Sequence, residues 1–153
     1  MVFIDGGNLF DPYAISKHAR QHELNERSVL ERVHLSRAFT FHQLHSLVTE
    51  KLPTAMEEFG ARFAVVSDIT QLYSDPDIRD KQEARDIFAK TVRFLGEVAE
   101  QKDALVLATA LQPRDHHLDR VLLHTARVLG ELQSRAMSTR LTLPGTSFQS
   151  QKL

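Results

Sequence analysis

Two kinds of hydrophobic pattern alternate along the chain. Residues 1–5 (MVFID), 63–68 (FAVVSD) and 104–111 (ALVLATAL) are short, nearly unbroken apolar runs, the pattern of strands covered on both faces of a parallel sheet. Between them, apolar positions recur at helical spacing. Asp11 followed by Pro12 opens a helix that turns Ala14, Ile15, His18 and Ala19 inward. Residues 25–30 read as a turn and one helical turn, after which Val33 and Leu35 alternate with His34 and Ser36 in a third strand. Thr40 with Gln43 forms a capping box for a helix whose apolar face is Phe41, Leu44, Leu47 and Val48; Pro53 interrupts or restarts it, and Gly60 stops it. Residues 74–77 (SDPD) form a loop, and Asp80 with Glu83 opens the clearest helix. There Ala84, Ile87, Phe88, Val92, Leu95, Val98 and Ala99 keep one face apolar for four turns.

Strand alternating with helix argues an α/β fold, a mostly parallel sheet flanked by helices. Residues 127–133 and 138–144 read as a C-terminal antiparallel hairpin closing that sheet. Residues 1–145 then form a single domain, with residues 146–153 a disordered, frayed tail after Gly145.

Composition narrows the chemistry. The 153 residues suffice for one core, and a net charge of −1 gives no global attraction to nucleic acid, so any such contact must come from a local patch. No apolar run reaches bilayer length, so no membrane contact is expected and the expected compartment is the cytoplasm. With no cysteine, disulfides and thiolate chemistry are excluded. His42 with His45 and His116 with His117 lack an acidic partner at zinc-like spacing, so no metal site is assigned to them.

Candidate chemistry gathers at two strand ends. Asp5, followed by Gly6, Gly7 and Asn8, and the pair Ser67 and Asp68 fall where parallel α/β sheets bind ligands. Asp68 has two readings, a nucleotide or metal ligand and a plain cap of the following turn.

In its order of features, the chain resembles the ATPase core of the RecA/RadA recombinase family, lacking the P-loop portion. Phe3, Ile4, Asp5, Phe10 and Pro12 resemble that family's I-D-x-E-G-x-F-x-P strand and turn. Val29, Leu30, Arg37, Ala38, Phe39, His42 and Gln43 resemble its V-L-x-x-x-x-x-A-R-A-F-x-x-x-H-Q stretch. Val65, Val66, Thr70, Leu72 and Tyr73 resemble the Walker B strand and its sequel; Ala84, Arg85, Val106 and Thr109 resemble the helix and sensor strand beyond it. The resemblance spans residues 2–145 and implies a role linked to DNA repair and recombination, with ATP and Mg²⁺ as candidate cofactors. It implies DNA as a candidate partner, through Arg79, Lys81 and Arg85 at the family's first DNA loop and Arg114 at its second. Asp75, Asp77, Asp80 and Glu83 interleave with the first group, so a solvated charged turn is the competing reading there.

Several of the family's ATPase positions are changed. The glycines at 6, 7, 60, 96, 130 and 145 build no G-x-x-x-x-G-K-[ST] motif. The family's water-orienting glutamate falls on Gly7, its Walker B aspartate on Ser67 with Asp68 one place late, and its sensor glutamine on Leu111. ATP hydrolysis by this chain alone is therefore not expected. Either a P-loop segment lies upstream of Met1 or the chain is a non-catalytic paralogue. An incomplete sheet would expose apolar surface, implying a homo-oligomer or a partner protein over the missing-strand edge.

Two alternatives remain. VFIDGGNLF also resembles the opening of NYN and PIN-type nucleases, which implies Mg²⁺ held by Asp5, Asn8, Asp68 and Asp75 or Asp77. The other is an interaction module without chemistry.

Overall fold

The computed structural model describes residues 1–111, 116–128, 130–135, 138–143 and 146–149. Strand β1 (Val2–Asp5) pairs in parallel with β2 (His34–Arg37) on one side and β3 (Phe63–Ser67) on the other, and β4 (Leu105–Ala108) pairs in parallel with β3. The order is β2-β1-β3-β4, an α/β sheet of the expected kind. Helices α1 (Pro12–Gln21) and α2 (Glu26–Leu30) link β1 to β2. A composite helix made of α3 (Phe41–Ser46), a π-helical turn (Leu47–Lys51) and α4 (Leu52–Glu58) links β2 to β3. A 3₁₀ turn (Gln71–Tyr73) and the long helix α5 (Lys81–Gln101) lead to β4, and α6 (His116–Thr125) follows.

The helix starts form where short polar side chains can accept the first free N–H groups. Asp11 accepts from Tyr13 N at 2.8 Å, Asn25 from Ser28 N at 2.9 Å, Thr40 from Gln43 N at 3.2 Å and Asp80 from Glu83 N at 2.9 Å. Gln43 completes its box by accepting from Phe39 N at 2.8 Å. The helix opened by Thr40 does not break at Pro53. Proline lacks the N–H that would bond back to residue 49 and its ring crowds that carbonyl; the turn just before it widens to a π-helix and the chain continues. The helix ends in a Schellman motif, with Gly60 N donating to Glu57 O and Ala61 N to Met56 O. Gly60 sits at φ +57°, the left-handed conformation this motif requires.

The core lies on one face of the sheet. Register aligns Val2, Ala64 and Val106, and then Ile4, Val66 and Ala108, on that face. Val2, Ile4, Ala64 and Val66 pack against Leu44, Val48, Leu52 and Met56 of the composite helix, Phe88, Val92 and Leu95 of α5, and Leu118 of α6. The step from β1 to β2 runs opposite to the later steps, so right-handed crossovers place α1 and α2 on the other face. Phe3 meets Phe10 edge-on there, with ring centroids 5.1 Å apart.

Thr91 is a fully buried polar residue within the apolar face of α5. Its hydroxyl donates to Ile87 O at 2.8 Å, which leaves its two lone pairs for Tyr73 Oη at 2.8 Å and His45 Nδ1 at 2.9 Å, both as donors. Burial pushes the Tyr73 hydroxyl up to about 12 and lowers His45, the latter helped by nearby Lys90.

Several expectations need correction. Strands β5 (Glu131–Arg135) and β6 (Ser138–Leu143) are antiparallel as expected, but they do not close the parallel sheet. With β7 (Thr146–Gln149) they form a separate three-stranded sheet, so part of the stretch expected to fray is a strand. His18 is exposed rather than inward, because the buried stripe of α1 centres on Ala19. On β2 the half-buried residues are His34 and Ser36, while Leu35 is 42% exposed. The apolar run in β4 is not covered on both faces: Leu105 and Leu107 are 65% and 47% exposed, because β4 is an edge strand. No helix among the described residues is long and apolar enough to cross a membrane.

Thr91→Val strands the buried Tyr73 hydroxyl and is expected to cost about 1–3 kcal/mol in urea unfolding, against about 1 kcal/mol for Tyr73→Phe. Adding Tyr73→Phe to Thr91→Val should restore part of the loss, a non-additive cycle that independent sites would not show.

Candidate functional site

The sheet brings Asp5 and Ser67 side by side, paired across β1 and β3, with Asp68 next in the chain. Both acids are thus at the carboxyl rim. Burying a carboxylate is costly unless donors surround it, and Asp5, with no exposed surface, is surrounded. Its Oδ1 accepts from Leu9 N at 2.9 Å and from Ser67 Oγ at 2.8 Å. Its Oδ2 accepts from Phe10 N at 3.2 Å, Arg37 Nε at 3.1 Å and a second Arg37 guanidinium nitrogen at 3.1 Å. Burial alone would raise this carboxyl, but the bonds from Leu9, Ser67, Phe10 and Arg37 together outweigh it and hold Asp5 below its ordinary 3.8. Arg37 comes from the end of β2, directly across from Asp5 in the register.

The two glycines after Asp5 let this loop lie against the end of β3. Gly6 N donates to Ser67 O at 3.0 Å, and a Cβ on Gly6 would stand 2.8 Å from that same oxygen. A Cβ on Gly7 would stand 2.7 Å from Asp68 Cβ. The glycine surfaces face protein rather than an open cradle. Asn8, exposed and at φ 55°, completes the turn in a conformation that asparagine tolerates well.

Asp68 is buried at φ +43°, just past the strand. Its N–H donates to Thr109 Oγ1 at 3.0 Å, and its Oδ1 accepts from Thr70 Oγ1 and from Leu111 N, each at 3.3 Å. It ties the end of β3 to the chain leaving β4, as a cap does. The left-handed residue also explains the one-place offset from Ser67: the strand has ended, so Asp68 does not follow the strand's alternation.

The other candidates disperse. Arg79 and Lys81 are exposed at the start of α5, and Arg85 is half-buried one turn further on. Asp77 N donates to Asp75 Oδ1 at 2.9 Å, so the SDPD loop folds on itself. Arg114 lies outside the described residues. A hollow of about 400 Å³ lined by Met1, Arg32, His34, Phe59 and Arg62 lies at the amino ends of the strands, away from both acids. Ligands of parallel α/β sheets bind at the other end, so the rim geometry takes precedence over hollow size.

Fit to the nucleotide and Mg²⁺ suggested by the fold can be judged from the donors. Mg²⁺ needs carboxylate oxygens facing outward at near-octahedral angles. Asp5 could offer one only by releasing a backbone N–H, Ser67 or Arg37. Among the described residues no three His, Asp or Glu side chains gather to hold a metal. The residues here therefore do not fit the ion, and the clustered acids of the nuclease alternative are not assembled. What sequence reasoning missed was Arg37 as the partner of Asp5; the signal was an arginine at the end of the next strand in the chain, 32 residues after the acid that ends β1.

Asp5→Asn should cost about 2–3 kcal/mol at pH 7, since an amide nitrogen would face N–H donors. Because the folded carboxyl lies below its unfolded value of 3.8, its stabilisation is complete above that value and is lost as pH falls through the folded one. Acid titration of unfolding should show a shallower loss of stability below about pH 4 in the variant than in the parent.

A family model described as Rad51 matches residues 1–144. No curated protein matches the chain.

Proposed function

The chain belongs to the Rad51 family, within the RecA/RadA-like recombinases, and from that premise we propose that it serves DNA repair or recombination without hydrolysing ATP on its own. The observation that carries the second half is the closed hydrogen-bond shell of Asp5. A carboxylate with every lone-pair direction used by protein donors holds the fold together and has none left for an ion. Two neighbouring positions support the same reading. Position 7, where the family resemblance would put a water-orienting glutamate, has no room for a side chain beside Asp68. Position 67, where it would put the Walker B acid, is a serine whose hydroxyl is engaged by Asp5.

DNA contact, in this reading, uses the exposed Arg79 and Lys81 at the head of α5. Asp75, Asp77, Asp80 and Glu83 lie around them and keep the affinity low and strongly salt-dependent. ATP and Mg²⁺ are not needed for that contact. The interaction-module alternative differs only in lacking DNA as a partner.

Two assays test this. With Mg²⁺ and ATP, phosphate release by the purified chain should stay at the buffer rate; turnover abolished by Asp68→Asn would overturn the proposal. A labelled single-stranded oligonucleotide should bind in fluorescence anisotropy, and Arg79→Ala with Lys81→Ala should lower the log–log salt slope by about 0.7 per lost phosphate contact. A slope unchanged by the double substitution would remove α5 from the interface.

A further inference from the structure

Three elements meet at one buried oxygen. The Thr91 hydroxyl of α5 lies 2.8 Å from Tyr73 Oη of the 3₁₀ turn and 2.9 Å from His45 Nδ1 of α3. Its own proton is committed to Ile87 O, one turn back in α5, at 2.8 Å. A hydroxyl has a single proton to give, so the hydrogen of the His45 contact has to come from Nδ1. Neutral His45 is therefore held in its Nδ1–H form, which leaves Nε2 as the atom that takes the next proton.

His45 also stands where the composite helix gives most easily. The π-helical turn Leu47–Lys51 begins two residues on, where the regular helical ladder is interrupted. The His45 carbonyl is held there by a side chain, Thr49 Oγ1, at 2.8 Å. The charges acting on the half-buried ring are unequal. Lys90 on α5 and His42 on α3 oppose a positive imidazole, while Glu50 of the π turn favours one and is itself engaged by Ser46 Oγ at 2.9 Å. Tyr73, raised to about 12 by burial, stays neutral beside Thr91. Burial is the largest influence on the ring and, with Lys90, holds it below its ordinary 6.5.

We propose that His45 is a proton-operated latch between the composite helix and α5, closed by the neutral ring on Thr91 and loosened when Nε2 takes a proton. Protonation leaves the Nδ1–H bond in place but puts a charge into a half-buried seam beside Lys90. Opening of residues 41–51 returns the ring to water, so the charged ring favours the open form. The closed ring lies below 6.5 and the opened one at about that value. The latch is thus at full strength above 6.5 and weakens as pH falls from there toward the closed-state value. It uses neither Arg79 nor Lys81 and stands apart from the DNA contact.

Two measurements on the full chain test it. Imidazole nitrogen NMR at about pH 7.5, above the ordinary titration of histidine, should find the His45 proton on Nδ1; a proton on Nε2 overturns the proposal. Amide hydrogen exchange, corrected for the intrinsic effect of pH, reads opening of residues 41–51 directly. That opening should rise severalfold between about pH 7.5 and about pH 5.5, either side of the ordinary imidazole value, while amides of β1 and β3 change little. His45→Asn keeps a nitrogen donor for Thr91 and removes the titration, so the rise should vanish. Lys90→Gln, a change at an exposed position, removes an opposing cation and should diminish it. A rise that persists undiminished in either variant overturns the proposal, as does a parent chain whose segment opens equally at both pH values.

Discussion

The structure depends on one buried carboxylate. Asp5 sits where three strands and a loop converge, and a charge without solvent is tolerable only if its surroundings supply donors. They come from four places: two backbone N–H groups of the following loop, Ser67 on β3 and Arg37 on β2. Satisfying Asp5 therefore fixes how far the loop folds back, how the strands end relative to each other and why residues 6 and 7 are glycines. The closest approach of that loop to β3 leaves no volume for a Cβ. The acid at the carboxyl rim of the sheet is the joint of that rim.

That role gives a physical meaning to the stretch most specific to the recombinase resemblance, residues 37–43. Arg37 is the counter-charge of Asp5. Ala38 is buried in the core, and its N–H donates to Asp5 O at 3.1 Å. Thr40 and Gln43 cap the helix that covers the sheet. Together these residues build one corner of the sheet around Asp5.

A second constraint is coverage. The composite helix, α5 and α6 bury one face of the sheet, while the other face carries α1 and α2 toward β1 and β2 and leaves β4 bare. An apolar, uncharged, exposed edge is a standing invitation to strand addition.

Much of this was legible in the chain itself. Caps at Asp11, Thr40 and Asp80, the stop at Gly60, the apolar face of α5 and the neighbouring strands ending at Asp5 and Ser67 all follow from local chemistry, because caps, periodicity and turn residues act over a few positions. What needed the tertiary structure involved partners far apart in sequence. Arg37 meets Asp5 across 32 residues, Thr91 meets His45 across 46, and Leu111 reaches Asp68 across 43. The same holds for β4, whose apolar run reads as a covered strand until its place at the edge is known. Sequence determined the strands and helices as far as β4 and which acids stand at their ends, but not α6 or β7; only packing decided whether those acids face solvent or protein, because donors, neighbours and exposure are properties of the assembled sheet.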